Sequence, residues 1–307
     1  MGEGDRGGEG KRSTQYRKLT VMSLPVIRAP KIAELDPNPL AINATQVADW
    51  LIAFLKDEVI RRRNMKKVVL GLSGGVDSAV VAYLCARAFG PENTYAFRMP
   101  YKISSQESLD HAQLVVDDIG IQVQTIPITG MVDGYTALDQ DITPQRLGNI
   151  CARSRMIVLF DQSAEVGGIP IGTGNKSERL FGYYTWHADD APPINPLGDL
   201  FKTQVWDLAE ALGVPSVIIN KPATADLVKG QTDESDFGIS YLKADRILHY
   251  VVQGYSRSAI IQIGFPEAEV DIVWKRVSGT HWKRKLPTVA MLSNTAINEY
   301  YLRPVDF

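Results

Sequence analysis

The chain has 307 residues, 45% of them hydrophobic, and a formal charge of −2 with a pI near 6.1, which is ample material for a full core. That balance lacks the basic footprint of a nucleic-acid binder, and no apolar run reaches the ~18 residues that a bilayer span requires. The N-terminus has no apolar signal core behind its charges, so a soluble, cytoplasmic protein is expected, with no nucleic-acid or membrane partner.

Residues 1–23 are glycine and charge with too little to bury, which predicts a flexible tail over about residues 1–30, a single domain over 31–307, and Met22 as an alternative natural start. From 43 to 64, Val47, Leu51, Phe54, Leu55 and Val59 fall on one helical stripe that should pack inward. Arg61, Arg62 and Arg63 near its end suit the helix dipole as solvated charges.

The next stretch, KVVLGLSGGVDSAVVAYLCARAFG over 67–90, organises the chain. Residues 67–72 are β-branched and apolar, 73–75 form a glycine turn, and 77–88 are rich in Ala, Leu and Val, so the pattern is strand, turn, helix. A helix N-terminus has unpaired N–H groups and a positive dipole end, which favour an anion by ~0.3–1 kcal/mol even when exposed. A Walker-type loop would carry a lysine, and here Val76 and Asp77 follow the glycines. A carboxylate beside phosphates needs a cation between them, so Asp77 points to Mg²⁺; its plainer reading is a helix cap. Cys85, in the helix that follows, is expected as a small buried thiol, and neither it nor Cys151 has metal-ligand or disulfide spacing.

Residues 93–99 read as a second strand, 104–119 as a helix capped by Ser105, and 121–128 as a third strand. Strands alternating with helices predict an α/β fold with a parallel, doubly wound sheet flanked by helices. Ligands of such sheets lie beyond the strand C-termini, where 73–78, 99–101 and the segment after Ile128 should converge. A long helix over 145–166 contains NICARSRM. Asn149 and Arg153 share a face, and Arg155 lies about 200° round from Arg153. One arginine can then face a ligand while the other pairs at the surface or across an interface.

GIPIGTGNKSE, residues 168–178, is a short strand followed by glycines, Thr173 and a helix start bearing Glu178, which is either a second magnesium carboxylate or a favourable first-turn acid. An aromatic, proline-rich loop leads to an amphipathic helix over 202–212, ended by Gly213. KPATADL supplies Thr224, and residues 231–236 form an exposed acidic loop with the character of a lid. The tail has a basic cluster, HWKRKLP, for which a solvated face is the ordinary explanation.

SGGVDS resembles the pyrophosphate-binding loop of the ATP pyrophosphatases, the adenine nucleotide alpha hydrolase type. The ordered set SGGVDS, NICARSRM, GTGNKSE, NPLGDLFKTQV, KPATADL, QTDESDFG and KRKLP resembles the ammonia-dependent NAD synthetases over about residues 43–287. This resemblance implies conversion of deamido-NAD⁺, ATP and ammonia to NAD⁺, AMP and pyrophosphate through an adenylated carboxylate, by a ligase that works as a homodimer. It assigns Gly71, Leu72, Ser73, Gly74, Gly75, Val76, Asp77, Ser78, Thr173, Lys202 and Thr224 to ATP, and Asp77 and Glu178 to Mg²⁺. Asp77, Glu178 and Lys202 would carry the chemistry, with Arg153 and Lys283 on deamido-NAD⁺. Glutamine-using relatives carry a further nitrilase-like domain, so ammonia is the expected nitrogen source. Where the family commonly has FTKYGDGG, this chain has YTWHADDAPP, and Trp282 stands where a histidine usually precedes the matching lysine. Trp186 and Trp282 are therefore expected to pack against the dinucleotide, or else to fill core or dimer interface. The competing readings are a relative that amidates or thiolates a nucleotide base or tRNA, and a nucleotide-binding regulator without turnover.

Overall fold

The computed structural model describes residues 38–139, 141–224, 232–285 and 288–293. The predicted N-terminal tail, the alternative start at Met22, Gln231 and Pro287 lie outside these residues. The first helix, α1 (Ala44–Lys56), is capped by Asn43, whose side chain accepts from the Gln46 N–H at 3.1 Å. It runs on as a π-helical turn, Asp57–Arg61, and there Arg61 and Arg62 pair with Asp57 while Arg63 pairs with Glu58. The three arginines, expected as solvated charges, thus form local surface ion pairs with acids one turn back.

The central strand β1 (Lys67–Gly71) buries Val68, Val69 and Leu70 completely, because layers cover both of its faces. Then follow α2 (Val76–Phe89), β2 (Thr94–Arg98), α3 (Gln106–Ile119) and β3 (Gln122–Thr125). Ser105 caps α3 as expected, accepting from the Ser108 N–H at 3.1 Å. β3 is shorter than its apolar alternation predicted. It is the sheet edge and three of its four side chains are exposed; beyond Thr125 the Ile126 N–H to the Arg98 carbonyl, at 2.8 Å, and the Ile128 N–H to that of Pro100, at 3.0 Å, still tie the chain to the end of β2. After α4 (Thr129–Thr136), the long α5 (Pro144–Val166) starts at a Thr143 cap with proline in the first turn and stops at left-handed Gly167. β4 (Gly168–Pro170) and α6 (Lys176–Phe181) complete the sheet half.

All pairings are parallel, in the order β3-β2-β1-β4. The chain winds one way through β1, β2 and β3 and then crosses to the other side for β4, so the direction switches between β1 and β4. The turn after β1 and the segment after β4 therefore open side by side. Pro170, which has no N–H to give to a ladder, is tolerated because β4 is an edge strand.

The remainder is helical: α7 (Lys202–Leu212), α8 (Ser216–Ile219), α9 (Asp233–Phe237), α10 (Tyr241–Val252), α11 (Arg257–Ile263) and α12 (Glu267–Gly279). One core packs α1, α2 and α7 against the sheet, and another gathers α9 to α12 around Phe181, Phe237 and Tyr241. Trp206 on α7 packs against both. Residues 232–236, expected as an exposed loop, are ordered as the start of α9. The Thr232 side chain caps the Ser235 N–H at 3.2 Å, and Phe237 anchors the helix edge-on against Phe181, Tyr183 and Tyr241.

Candidate active site

The glycine turn is held by its own serines. Ser78 Oγ donates to the Gly75 carbonyl at 2.9 Å and receives the Ser73 N–H at 3.2 Å. Gly74 has φ of +79°, and a Cβ there would lie 2.1 Å from the Ser108 carbonyl oxygen. Only glycine lets the turn lie this close to α3.

Asp77 does not cap α2. The N-cap is Gly75, and the Asp77 carboxylate reaches across the switch point. One oxygen accepts from Asn175 Nδ2 at 3.0 Å, and the other forms an ion pair with Lys202 Nζ. Asn175 is the N-cap of α6 and is locked to Glu178 by a reciprocal capping box: Asn175 N–H to Glu178 Oε2 at 3.0 Å, Glu178 N–H to Asn175 Oδ1 at 2.9 Å. Glu178 thus serves the first turn of α6, and its carboxylate also faces Asp77. Burial first, and then the charge of Asp77, pushes the Glu178 carboxyl up to about 8.

Lys202 opens α7 and is only 2% exposed. Burial alone would lower its ammonium, but the charges of Asp77 and Glu178 outweigh that and hold it above the usual lysine range. Its backbone N–H donates to Ser177 Oγ at 2.9 Å, and Ser177 in turn donates to buried Asp245 at 2.5 Å. Asp245 also accepts from the Thr203 N–H and hydroxyl, each at 3.0 Å. This buried hub on α10 fixes the N-termini of both α6 and α7.

These groups open onto one cavity of about 1010 Å³, at the upper end of the ~300–1,000 Å³ common for small-molecule sites. Gly71, Leu72, Ser73, Gly75, Val76, Asp77, Ser78, Thr173, Glu178, Lys202, Thr224 and Lys283 all line it. Gly74 is turned toward α3 instead. On α5 the cavity face is Gly148, Asn149, Ala152, Arg155 and Met156, so the arginine that lines the cavity is Arg155, whose Nε donates to the Met99 carbonyl at 3.1 Å. Arg153 is exposed and donates to the Trp186 carbonyl at 3.2 Å. The expected sharing of a face by Asn149 and Arg153 does not decide the matter, because Asn149 lies on the edge between the two stripes.

Trp186 and Trp282 meet edge to face at 5.3 Å, with His187 stacked on Trp186 at 4.1 Å. They are chain neighbours of the cavity-lining Thr185 and Lys283 but do not themselves line it. The basic cluster is not a solvated face throughout. Lys283 donates to the carbonyls of Gly182 and Tyr184 at 2.7 and 2.6 Å, Arg284 donates to those of Leu180 and Val277, and burial lowers the Lys283 ammonium. Cys85 is fully buried and its thiol is pushed up by burial. Two residues of the site escaped sequence reasoning, Asn175 and Asp233, and of the two arginines left open on α5 it is Arg155 that lines the cavity. The N-x-x-E spacing of Asn175 and Glu178 is a capping-box signal that could have exposed the first.

A parallel sheet with an anion-binding glycine turn at its switch point, and a carboxylate, a buried lysine and a second carboxylate facing that turn, defines an enzyme of the nucleotide-binding α/β class. Comparison with known proteins narrows the class. The NAD synthase family model matches residues 47–287. The NH(3)-dependent NAD(+) synthetase of Chlorobaculum parvum is 46% identical over 261 residues, 85% of this chain and 94% of that protein. That of Fusobacterium nucleatum is 41% identical over 256 residues, 83% of this chain and 99% of its own. Among solved structures, an NH3-dependent NAD synthetase from Campylobacter jejuni, in complex with nitrate, superposes with a TM-score of 0.70 at 30% identity, covering 81% of this chain and all of the other. An NMN synthetase from Francisella tularensis does so with a TM-score of 0.69 at 32% identity, covering 83% of this chain and all of the other. The chain belongs to the NAD synthase family.

Proposed function

We propose that the protein is an ammonia-dependent NAD synthetase. It would adenylate the nicotinate carboxylate of deamido-NAD⁺ with ATP, release pyrophosphate, and let ammonia displace AMP to give NAD⁺. The observation that carries this reading is the convergence of Asp77, Lys202 and Glu178 on the glycine turn within a cavity large enough for a nucleotide. Carboxylate is a poor acyl donor. Adenylation supplies a leaving group, and a buried ammonium beside the turn can offset the charge that develops on the departing pyrophosphate. The turn and helix dipole hold the phosphates, Thr173 and Thr224 bound the nucleotide, and Arg155 closes the α5 side. Catalysis rests on positioning and charge.

Asp77 and Glu178 would hold Mg²⁺. The acid strength of Glu178 supports that fit: it is driven toward its neutral form by burial and by the charge of Asp77, which is the condition a divalent cation relieves. Bound there, the ion would neutralise phosphate charge. Lys283 and Arg153, on the Trp186 side of the cavity, would serve the dinucleotide, with Trp186 and Trp282 flanking them. The same proposal includes a homodimer and a cytoplasmic location, where ATP and dinucleotide pools are found. None of the described helices is long and apolar enough to cross a membrane.

The likeness to an NMN synthetase favours one second reading, amidation of the nicotinate mononucleotide in place of the dinucleotide. Pyrophosphate release and amide formation should be followed with deamido-NAD⁺, the mononucleotide acid, xanthosine monophosphate and tRNA in parallel. Turnover with deamido-NAD⁺ at least about tenfold better in kcat/KM than with the mononucleotide is the expected result. The reverse order would establish the second reading, and no release with either nicotinate compound would refute both.

A further inference from the structure

Asp233 is a buried acid in the cavity to which the account above gives no task. It is 4% exposed, it lines the same cavity as Asp77, Glu178 and Lys202, and its backbone N–H is tied to the Ala223 carbonyl at 2.9 Å. One carboxylate oxygen accepts from the Tyr241 hydroxyl at 3.1 Å. The other, Oδ1, has no hydrogen-bond partner among the described residues. Nor does any cation of those residues pair with it, since Lys202 gives its ammonium to Asp77. A buried carboxylate in this condition either holds a proton or awaits a cation. The groups that face it are Tyr241 from α10, Lys202 from α7, Asp77 from α2, Glu178 from α6, and Tyr183, whose hydroxyl donates to Asp236 at 2.8 Å. Burial pushes its carboxyl up, against the pull of Lys202 and of the Tyr241 and Tyr183 hydroxyls.

The amidation reading needs one cation besides a metal. Ammonia in neutral water is almost wholly ammonium, which has no lone pair, so the site must accept a cation and remove a proton before a nucleophile exists. A single open carboxylate oxygen suits that guest. With Mg²⁺ assigned above to Asp77 and Glu178, Asp233 is left for the second cation, and Mg²⁺ would demand an octahedron of oxygens. Ammonium needs only acceptors around its four N–H bonds.

We propose that Asp233 captures ammonium on Oδ1 and takes its proton, delivering ammonia to the adenylated carboxyl. The inference rests on the amidation reading. The N–H bond breaks toward Oδ1 and leaves its electron pair on nitrogen. That pair forms the C–N bond to the acyl carbon, the acyl C–O bond breaks, and its electrons depart with AMP. The surplus proton on nitrogen and the proton on Asp233 then pass to solvent.

The test separates the two halves of the reaction in the full-length enzyme. Exchange of labelled pyrophosphate into ATP, dependent on deamido-NAD⁺, reports adenylation alone. Amide formation with ammonium reports both halves, and hydroxamate formation with hydroxylamine, which is uncharged at neutral pH, reports attack without cation capture. For Asp233→Asn, exchange and hydroxamate formation should stay within about tenfold of the parent while kcat/KM for ammonium falls by about 10²-fold or more. Parallel loss of exchange and amidation would make Asp233 a structural or metal-side residue and overturn the proposal. So would an equal loss with both nitrogen nucleophiles, or an unchanged response to ammonium. Parent enzyme that shows no exchange with deamido-NAD⁺ refutes the amidation reading itself, before any variant is made.

Discussion

Asp77 shows how far a single residue could be read. Its type and place after a glycine turn pointed to a cation, while its partners, Asn175 and Lys202, come from 98 and 125 residues further on and left no local trace. Asp77→Asn removes the charge that keeps a buried ammonium paired, so it should cost about 3–5 kcal/mol of stability by breaking a buried pair, well above the ~0.5–2 kcal/mol of a lost cap. Chemical denaturation will measure the first quantity, and turnover against Mg²⁺ at fixed folded fraction should fall to background. Near-normal turnover with unchanged metal dependence would remove Asp77 from the metal site. Glu178 yields a prediction in pH. Its carboxyl sits at about 8 in the folded protein and near 4.5 when free, so between those values the folded state binds the extra proton and stability falls as pH rises. Burial raises Asp233 and Asp245 as well, which gives the same sign. The metal-free protein should therefore melt at a lower temperature at pH 8 than at pH 5.5, and Glu178→Gln should flatten that dependence. Mg²⁺ with ATP should flatten it too, by lowering the carboxyl. A parent slope that rises with pH would contradict the assignment of Glu178.

Elements were more legible than their faces. The Ser105 cap and the span of α7 with its end at Gly213 follow from local chemistry that operates within one turn. Residues 232–236 look like a loop because their polarity dominates, and they fold as α9 because Phe237 has a distant aromatic cluster to enter. On α5, Arg153 and Arg155 are equally good candidates until α4 and the sheet decide which stripe faces inward. Elements also depend on joints that have no periodic signature, and Asp245 is the principal one. Asp245→Ala would leave the Ser177 hydroxyl and the Thr203 N–H and hydroxyl without their acceptor, at about 1–3 kcal/mol for each group left buried and unpaired. We expect a loss of several kcal/mol in urea denaturation, together with a raised KM for ATP, because Lys202 and Glu178 begin the two helices that Asp245 joins. Loss of stability with an unchanged KM would confine Asp245 to the core.

At the scale of the molecule, the alternation of strands and helices sufficed for a parallel sheet, whereas the order β3-β2-β1-β4 and the place of the switch depend on packing that no single segment encodes. The same scale governs assembly. Helices α4 and α5 pack on each other and carry apolar side chains outward: Met131 and Tyr135 from α4, Leu138, 84% exposed, from the turn just after it, and Ile157 and Phe160 from α5. So many large apolar groups on two adjoining helices suit burial against a second copy better than contact with water. Arg153, which reaches the loop at Trp186, lies on the same exposed side of α5, so a dimer through this face would border the proposed dinucleotide site. Sedimentation of the parent protein should therefore give a dimer, and Leu138→Glu combined with Ile157→Glu should give a folded monomer with little change in melting temperature. Since the cavity proposed for ATP lies on the opposite stripe of α5, the monomer should keep its KM for ATP and lose affinity for deamido-NAD⁺. A parent protein that is monomeric at micromolar concentration, or a double variant that remains dimeric, would place the contact elsewhere.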